Sequence, residues 1–196
     1  MPSGRDSQYV TNTDQSGRYK TYEVSMNRRY ASKWSASIGG GFTQMSNFPE
    51  GFPNNPSAPG LEDRSTWNLK ATASYDAPYG IRISPVMRHQ SGVNFARTIS
   101  VPATAGNAFG LTFPATTIYA ESASANREDN ITVFDVRAEK QLTFGSRVRL
   151  RLMFDAFNLT NSHASETIGR STGISYLKPT AILAPITARV GFRFIF

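Results

Sequence analysis

Charged side chains of opposite sign recur at every second position in two stretches of this sequence. Asp135, Arg137 and Glu139 form one row, and Arg149, Arg151 and Asp155 form another, with Arg189 and Arg193 repeating the spacing near the C-terminus. Two carboxylates on one strand face are the raw material of acid–base catalysis, provided that one is held protonated. Here each carboxylate alternates with arginines, so a structural ladder of ion pairs is the better reading. The only histidines are His89, late in a strand-like stretch, and His163, in a loop, and the chain has no cysteine to complete a metal set. The run Gly39–Gly41 lies inside an alternating segment and lacks the Lys-Ser/Thr that follows a phosphate-binding loop. Strand glycines more often mark curvature or a close backbone approach. No nucleophile–base pair emerges. The expectation is a protein that is not an enzyme, with no catalytic, cofactor-binding or metal-binding residue and no cofactor.

The chain has 196 residues, with 21 Lys and Arg against 14 Asp and Glu, a formal net charge of +7. A basic balance suits nucleic acid, an anionic surface or the lining of a pore. Interleaved acids and the lack of a concentrated basic patch argue against nucleic acid. Mean hydropathy is −0.35, and no stretch approaches the ~20 consecutive apolar residues of a membrane helix. A strand that meets lipid on one side keeps only alternate residues apolar, so a polar average does not exclude a β-barrel.

Period-two alternation dominates the chain and predicts strands. From Ala188 to Phe196, the residues Ala188, Val190, Phe192, Phe194 and Phe196 share one face; Arg189, Gly191 and Arg193 share the other with Ile195. Val148, Leu150, Leu152, Phe154 and Ala156 oppose Arg149, Arg151 and Asp155. Phe134, Val136, Ala138, Leu142 and Phe144 oppose Asp135, Arg137, Glu139 and Gln141, while Lys140 interrupts the apolar side near one end. Trp67–Tyr75, Ile81–Gln90, Trp34–Phe42 and Tyr22–Met26 alternate likewise. The fold class expected is all-β, an antiparallel meander of about seven long strands. Its connections alternate in length. They are short at 27–33, Asp76–Gly80 and 144–146, and long at 46–65, 92–130 and 160–180. Transmembrane barrels alternate in this way, with short periplasmic turns and long external loops. Trp34, Tyr75, Phe144, Phe194 and Phe196 lie near strand ends on the apolar face, where an interfacial girdle belongs.

The terminal run Val190, Phe192, Phe194, Phe196 resembles the last strand of bacterial outer-membrane proteins, which ends in an aromatic residue read by the barrel-assembly machinery. The wider pattern resembles the C-terminal barrel of TonB-dependent receptors, particularly the Oar-like group. The stretches TYEVSMNRRYASKWSASIGGGFT, WNLKATASYDAPYGIRISPVMRHQSG, ITVFDVRAEKQLTFGSRVRLRLMFDAFNLTN and ITARVGFRFIF carry the likeness, and the segment DAFNLTN at 155–161 matches a strand end at the outer rim.

The resemblance implies a transmembrane β-barrel portion over 18–196, an external loop remnant over 1–17, and no plug domain in this chain. The intact protein would take up a large or scarce ligand across the cell outer membrane with energy relayed by TonB. Its partners would be outer-membrane lipid, the barrel-assembly machinery, TonB through a missing plug, and an unidentified ligand. Asp135, Arg137, Glu139, Arg149, Arg151, Asp155, Arg189 and Arg193 would face the lumen. The sequons at Asn130 and Asn158 carry no weight in that setting. The first twenty residues lack the apolar core of a secretory signal, so the expectation is a fragment of a longer precursor. The alternatives are a structural or adhesive barrel and a soluble β-sandwich binding module.

Overall fold

The computed structural model describes residues 17–46, 63–105, 114–122, 124–145 and 148–196. The expected loop remnant, apart from Gly17, and most of the 46–65 connection lie outside them, as does Arg147.

Seven long strands form one antiparallel sheet: β1 (Arg18–Ala31), β2 (Trp34–Ser46), β3 (Arg64–Ala77), β4 (Ile81–Gln90), β9 (Ile131–Phe144), β10 (Val148–Phe157) and β13 (Thr187–Ile195). Each pairs with its neighbour in chain order, a pure meander. The strands are 9 to 14 residues long, longer than the five or six usual in soluble sheets. All-β architecture is therefore as the alternation predicts. Strand accounts for 69% of the described chain, and no pairing joins β1 to β13 among the described residues.

The short connections are tighter than the sequence suggests. The stretch 27–33 reads as a turn, yet β1 continues to Ala31 and pairs there with Trp34 after a bulge. Only Ser32 and Lys33 turn, at φ 53° and 72°, the left-handed pair that matches the twist of a two-residue hairpin. Pro78–Gly80 is a single 3-10 turn with Tyr79 at φ 64° and Gly80 at φ 70°. Gly145 closes the third, at φ 62°.

Two of the long connections are not plain loops. The first holds β5 (Asn94–Phe95), β6 (Thr98–Val101), β7 (Thr116–Tyr119) and β8 (Asn126–Arg127), paired as β5 with β8 and β6 with β7. The second holds β11 (Ser165–Ile168) and β12 (Pro179–Ile182), paired with each other. Strands of two to four residues are too short to display a period, so alternation does not reveal them.

Burial is sparse across the described sheet. Among the described residues the buried apolar side chains are Phe95, Ala96, Val133 and Ala156. Two of these belong to the β4–β9 connection and none forms a second layer over the sheet. The apolar face is open along its length: Val24, Phe42, Tyr75, Ile83, Phe154, Val190 and Phe192 are exposed, Val190 by 78% and Phe192 by 76%. A sheet in water normally buries one face against another layer.

Candidate functional site: the charged face of the sheet

Register places the charged rows of β9, β10 and β13 side by side. Asp155 lies opposite Arg137 on one flank and Arg189 on the other. Arg137 donates from Nε to Oδ1 at 2.5 Å and from Nη2 to Oδ2 at 3.1 Å. Arg189 donates to Oδ2 from Nε at 3.0 Å and from Nη2 at 2.7 Å. The Asp155 side chain is only 7% exposed under the two guanidinium groups, which are themselves 41% and 62% exposed. Forked donors of this kind hold a carboxylate with defined geometry. Arg137 also reaches Glu139, at 3.8 Å.

The row continues on β4 and β3. Arg88 pairs with Asp135 across β4–β9 at 3.4 Å. Arg82 binds both oxygens of Asp76 at 2.6 and 3.1 Å, and the Tyr30 hydroxyl donates to the same carboxylate from β1. Beyond it the charges thin out to Glu23 and Lys70 among neutral polar residues. Ser37 donates to Asn27 at 2.6 Å, and a depression of about 670 Å³ follows, bordered by Glu23, Ser25, Gly39, Gly41, Asn68 and Lys70. Gly39 and Gly41 leave this trough open, and a Cβ at either would meet nothing nearer than 3.7 and 3.5 Å. Gly40, on the opposite face, has a different reason to be glycine: a Cβ there would lie 2.8 Å from the Asn68 carbonyl oxygen.

The rim at the long-connection end is built by the DAFNLTN segment. Asn158 ends β10 at φ 49° and is buried. Its side chain donates to the carbonyls of Ser162 and Ala184 at 2.9 and 2.8 Å and accepts from Ser162 N at 2.9 Å, while its own N–H donates to Asp135 at 2.8 Å. Asn161, also left-handed, accepts from Ile186 N at 3.1 Å. These two asparagines fasten the departure of the β10–β13 connection to its return. The two structured connections are fastened to each other: Thr98 N donates to Arg170 O at 2.9 Å, Thr172 N to Thr98 O at 2.7 Å, and Arg170 Nη2 to Glu128 at 2.9 Å. Arg127 roofs Trp67 at 4.8 Å from the ring and donates to Ser65 O and Gly92 O.

All eight charged residues singled out from the sequence therefore lie on one face. It brings Asp155, Arg137 and Arg189 into one cluster, with Glu139 and Asp135 on its margins. Arg149, Arg151 and Arg193 lie apart from it, toward the short turns. Val190, Phe192 and Phe194 stand on the other face against Phe154, Leu152 and Leu150, and Phe196 projects beyond β13, 97% exposed. Sequence reasoning missed the Asp76–Arg82–Tyr30 cluster. Its signal was Asp76 at the head of a tight turn, with Arg82 at the matching position on the returning strand. Lys140 donates to Tyr79 O in the adjacent turn, so it serves the hairpin end. His89 takes the indole N–H of Trp67 at Nε2, 3.2 Å away, and meets Thr132 at Nδ1, 2.8 Å away, so both nitrogens are occupied. No group of metal-ligating side chains occurs among the described residues. No protein-family model, curated protein or solved structure matches the chain.

Proposed function

We propose that this sheet is part of the wall of an outer-membrane β-barrel, with its apolar face in lipid and its charged face toward a wet lumen. The observation that carries the reading is the open apolar face: residues such as Phe154, Val190 and Phe192 are exposed on a sheet whose other side is occupied by ion pairs. In water an apolar patch of this breadth is a liability; in a bilayer it is the solvated surface. Aromatic residues support the same reading. Arg28 stacks 3.9 Å over Trp34, which pairs with Tyr75 at the short-turn end, and Tyr22, Phe42 and Trp67 form a cross-strand row nearer the other. Eight strand steps separate Trp34 from Phe42, a depth of about 20 Å at ordinary barrel tilt, close to the ~25 Å apolar band of such barrels.

A closed barrel would need partners for both edges of this sheet. β1 and β13 run in the same direction, toward the short turns. A free edge in hydrocarbon leaves its backbone groups unsatisfied, at a cost of several kcal/mol per group. Antiparallel closure needs an odd number of further strands, with both end strands running the other way. A second copy inserted in the same orientation offers only parallel edges.

Within this class the terminal aromatic strand and the segments VRAEKQLTFG and DAFNLTN favour a TonB-dependent-receptor barrel. The whole protein would then carry out energy-coupled uptake of a ligand too large or too scarce for passive entry. The structured outer connections, cross-linked by Arg170 and Thr98, would form its mouth.

The test is solubility and order. The purified chain should acquire a β-rich circular dichroism spectrum in detergent micelles or lipid vesicles and aggregate in plain buffer. A monodisperse, cooperatively melting protein in plain buffer would favour a sandwich with a covered core.

A further inference from the structure

Along β9, β10 and β13 every charged side chain of this face has an oppositely charged partner except at one corner. Asp155 is held by Arg137 and Arg189, Asp135 by Arg88 and the Asn158 N–H, and Asp76 by Arg82 and Tyr30. Three arginines are left over. Arg151 lies directly opposite Arg193 in the β10–β13 register, and Arg149 follows Arg151 two residues nearer the turn, on the same face. Their neighbours on β9 are neutral: Gln141 opposite Arg151 and Thr143 opposite Arg149. Arg151 donates to the Gln141 amide oxygen at 3.4 Å, and no described carboxylate lies within 4.0 Å of any of the three. Glu139, diagonal to Arg151, shares with it the wall of a depression of about 310 Å³ that Arg82 and Gln141 also line.

Like charges directly opposed on antiparallel strands destabilise a sheet. Three guanidinium groups at neighbouring positions of one face offer forked donors with no carboxylate partner, the chemistry that matches phosphate and carboxylate oxygens. We propose that Arg149, Arg151 and Arg193 form a binding patch for oxyanions at the short-turn end of the lumenal face. Its ligand class is a small phosphate- or carboxylate-bearing solute. The anion relieves the Arg151–Arg193 repulsion, and the patch biases this end of the lumen toward anions. The inference rests on the charged face being hydrated, as in the barrel reading.

The test uses the full chain refolded in detergent, with pyrophosphate as the probe in calorimetry. Saturable binding is expected. Arg193→Gln should weaken it by roughly tenfold or more, while Lys70→Gln, which removes the same charge from the same face far from the patch, should leave it unchanged. Absence of saturable heat overturns the proposal, and so does equal weakening by both variants, which would signify only general attraction to a basic surface. Labelling of Cys placed at 137 by a water-soluble reagent reports separately whether this face is wet. If that label reacts and pyrophosphate does not bind, the patch is wrong and the barrel reading stands; if the label fails to react, the barrel reading itself fails.

Discussion

Asp155 and Arg189 face each other across β10 and β13, with Arg189 Nη2 2.7 Å from Asp155 Oδ2. This contact ties the last strand to the sheet through side chains as well as backbone. With Arg137 on the far side, one carboxylate joins three strands. Asp155→Ala would leave Arg137 and Arg189 as like charges flanking an empty place. The expected loss is about 1–3 kcal/mol, discounted from the cost of a deeply buried pair because both guanidinium groups are partly in water. Urea unfolding in detergent, followed by circular dichroism, measures it. Arg137→Ala should cost less, since Asp155 keeps Arg189.

Asn158 makes a separate prediction. Its side chain makes three hydrogen bonds, and its backbone is left-handed. Asn158→Gly keeps the backbone preference and loses the bonds; Asn158→Ala loses both. Protease cleavage between 160 and 180 should therefore accelerate in the order Asn, Gly, Ala. Equal resistance in all three would remove Asn158 as the clasp of this connection.

Glycines should divide by position. A Cβ on Gly92 would lie 1.7 Å from the Glu128 carbonyl oxygen, whereas one on Gly39 meets nothing within 3.6 Å. Gly92→Ala is expected to disrupt the β5–β8 pairing and cost about 1–3 kcal/mol, read as faster amide exchange at Glu128. Gly39→Ala should be close to neutral.

Much of this arrangement is legible in the chain. The alternation of Val148–Ala156 and Ala188–Phe196 fixes which residues share a face, because side chains on a strand have period two whatever surrounds them. That Asp155 stands between Arg137 and Arg189 is not legible, because it depends on register, and register depends here on the turn at Gly145 and on the long return from β10 to β13. The clasp between the two structured long connections is equally hidden. Thr98 meets Arg170 over a separation of 72 residues, in strands too short to show a pattern. The environment of the apolar face is not legible, since Phe192 reads the same whether its partner is a core or an acyl chain.

The clasp between the long connections predicts a local effect. Arg170→Ala removes the bond to Glu128 and the cover over Phe95, whose ring centre lies 5.6 Å away. Amide exchange at Thr98 and Thr172 should quicken several-fold, with β9 and β10 unchanged. Uniform quickening across the sheet would mean that the connections are part of one cooperative unit with it.

The central claim is that one face of the sheet meets hydrocarbon and the other water. The chain has no cysteine, so single-Cys variants at 150, 151, 192 and 193 can be compared in lipid vesicles with a charged, water-soluble maleimide. The account predicts rapid labelling at 151 and 193 and protection at 150 and 192. Protection of 151 and 193 together with labelling of 150 and 192 would contradict it.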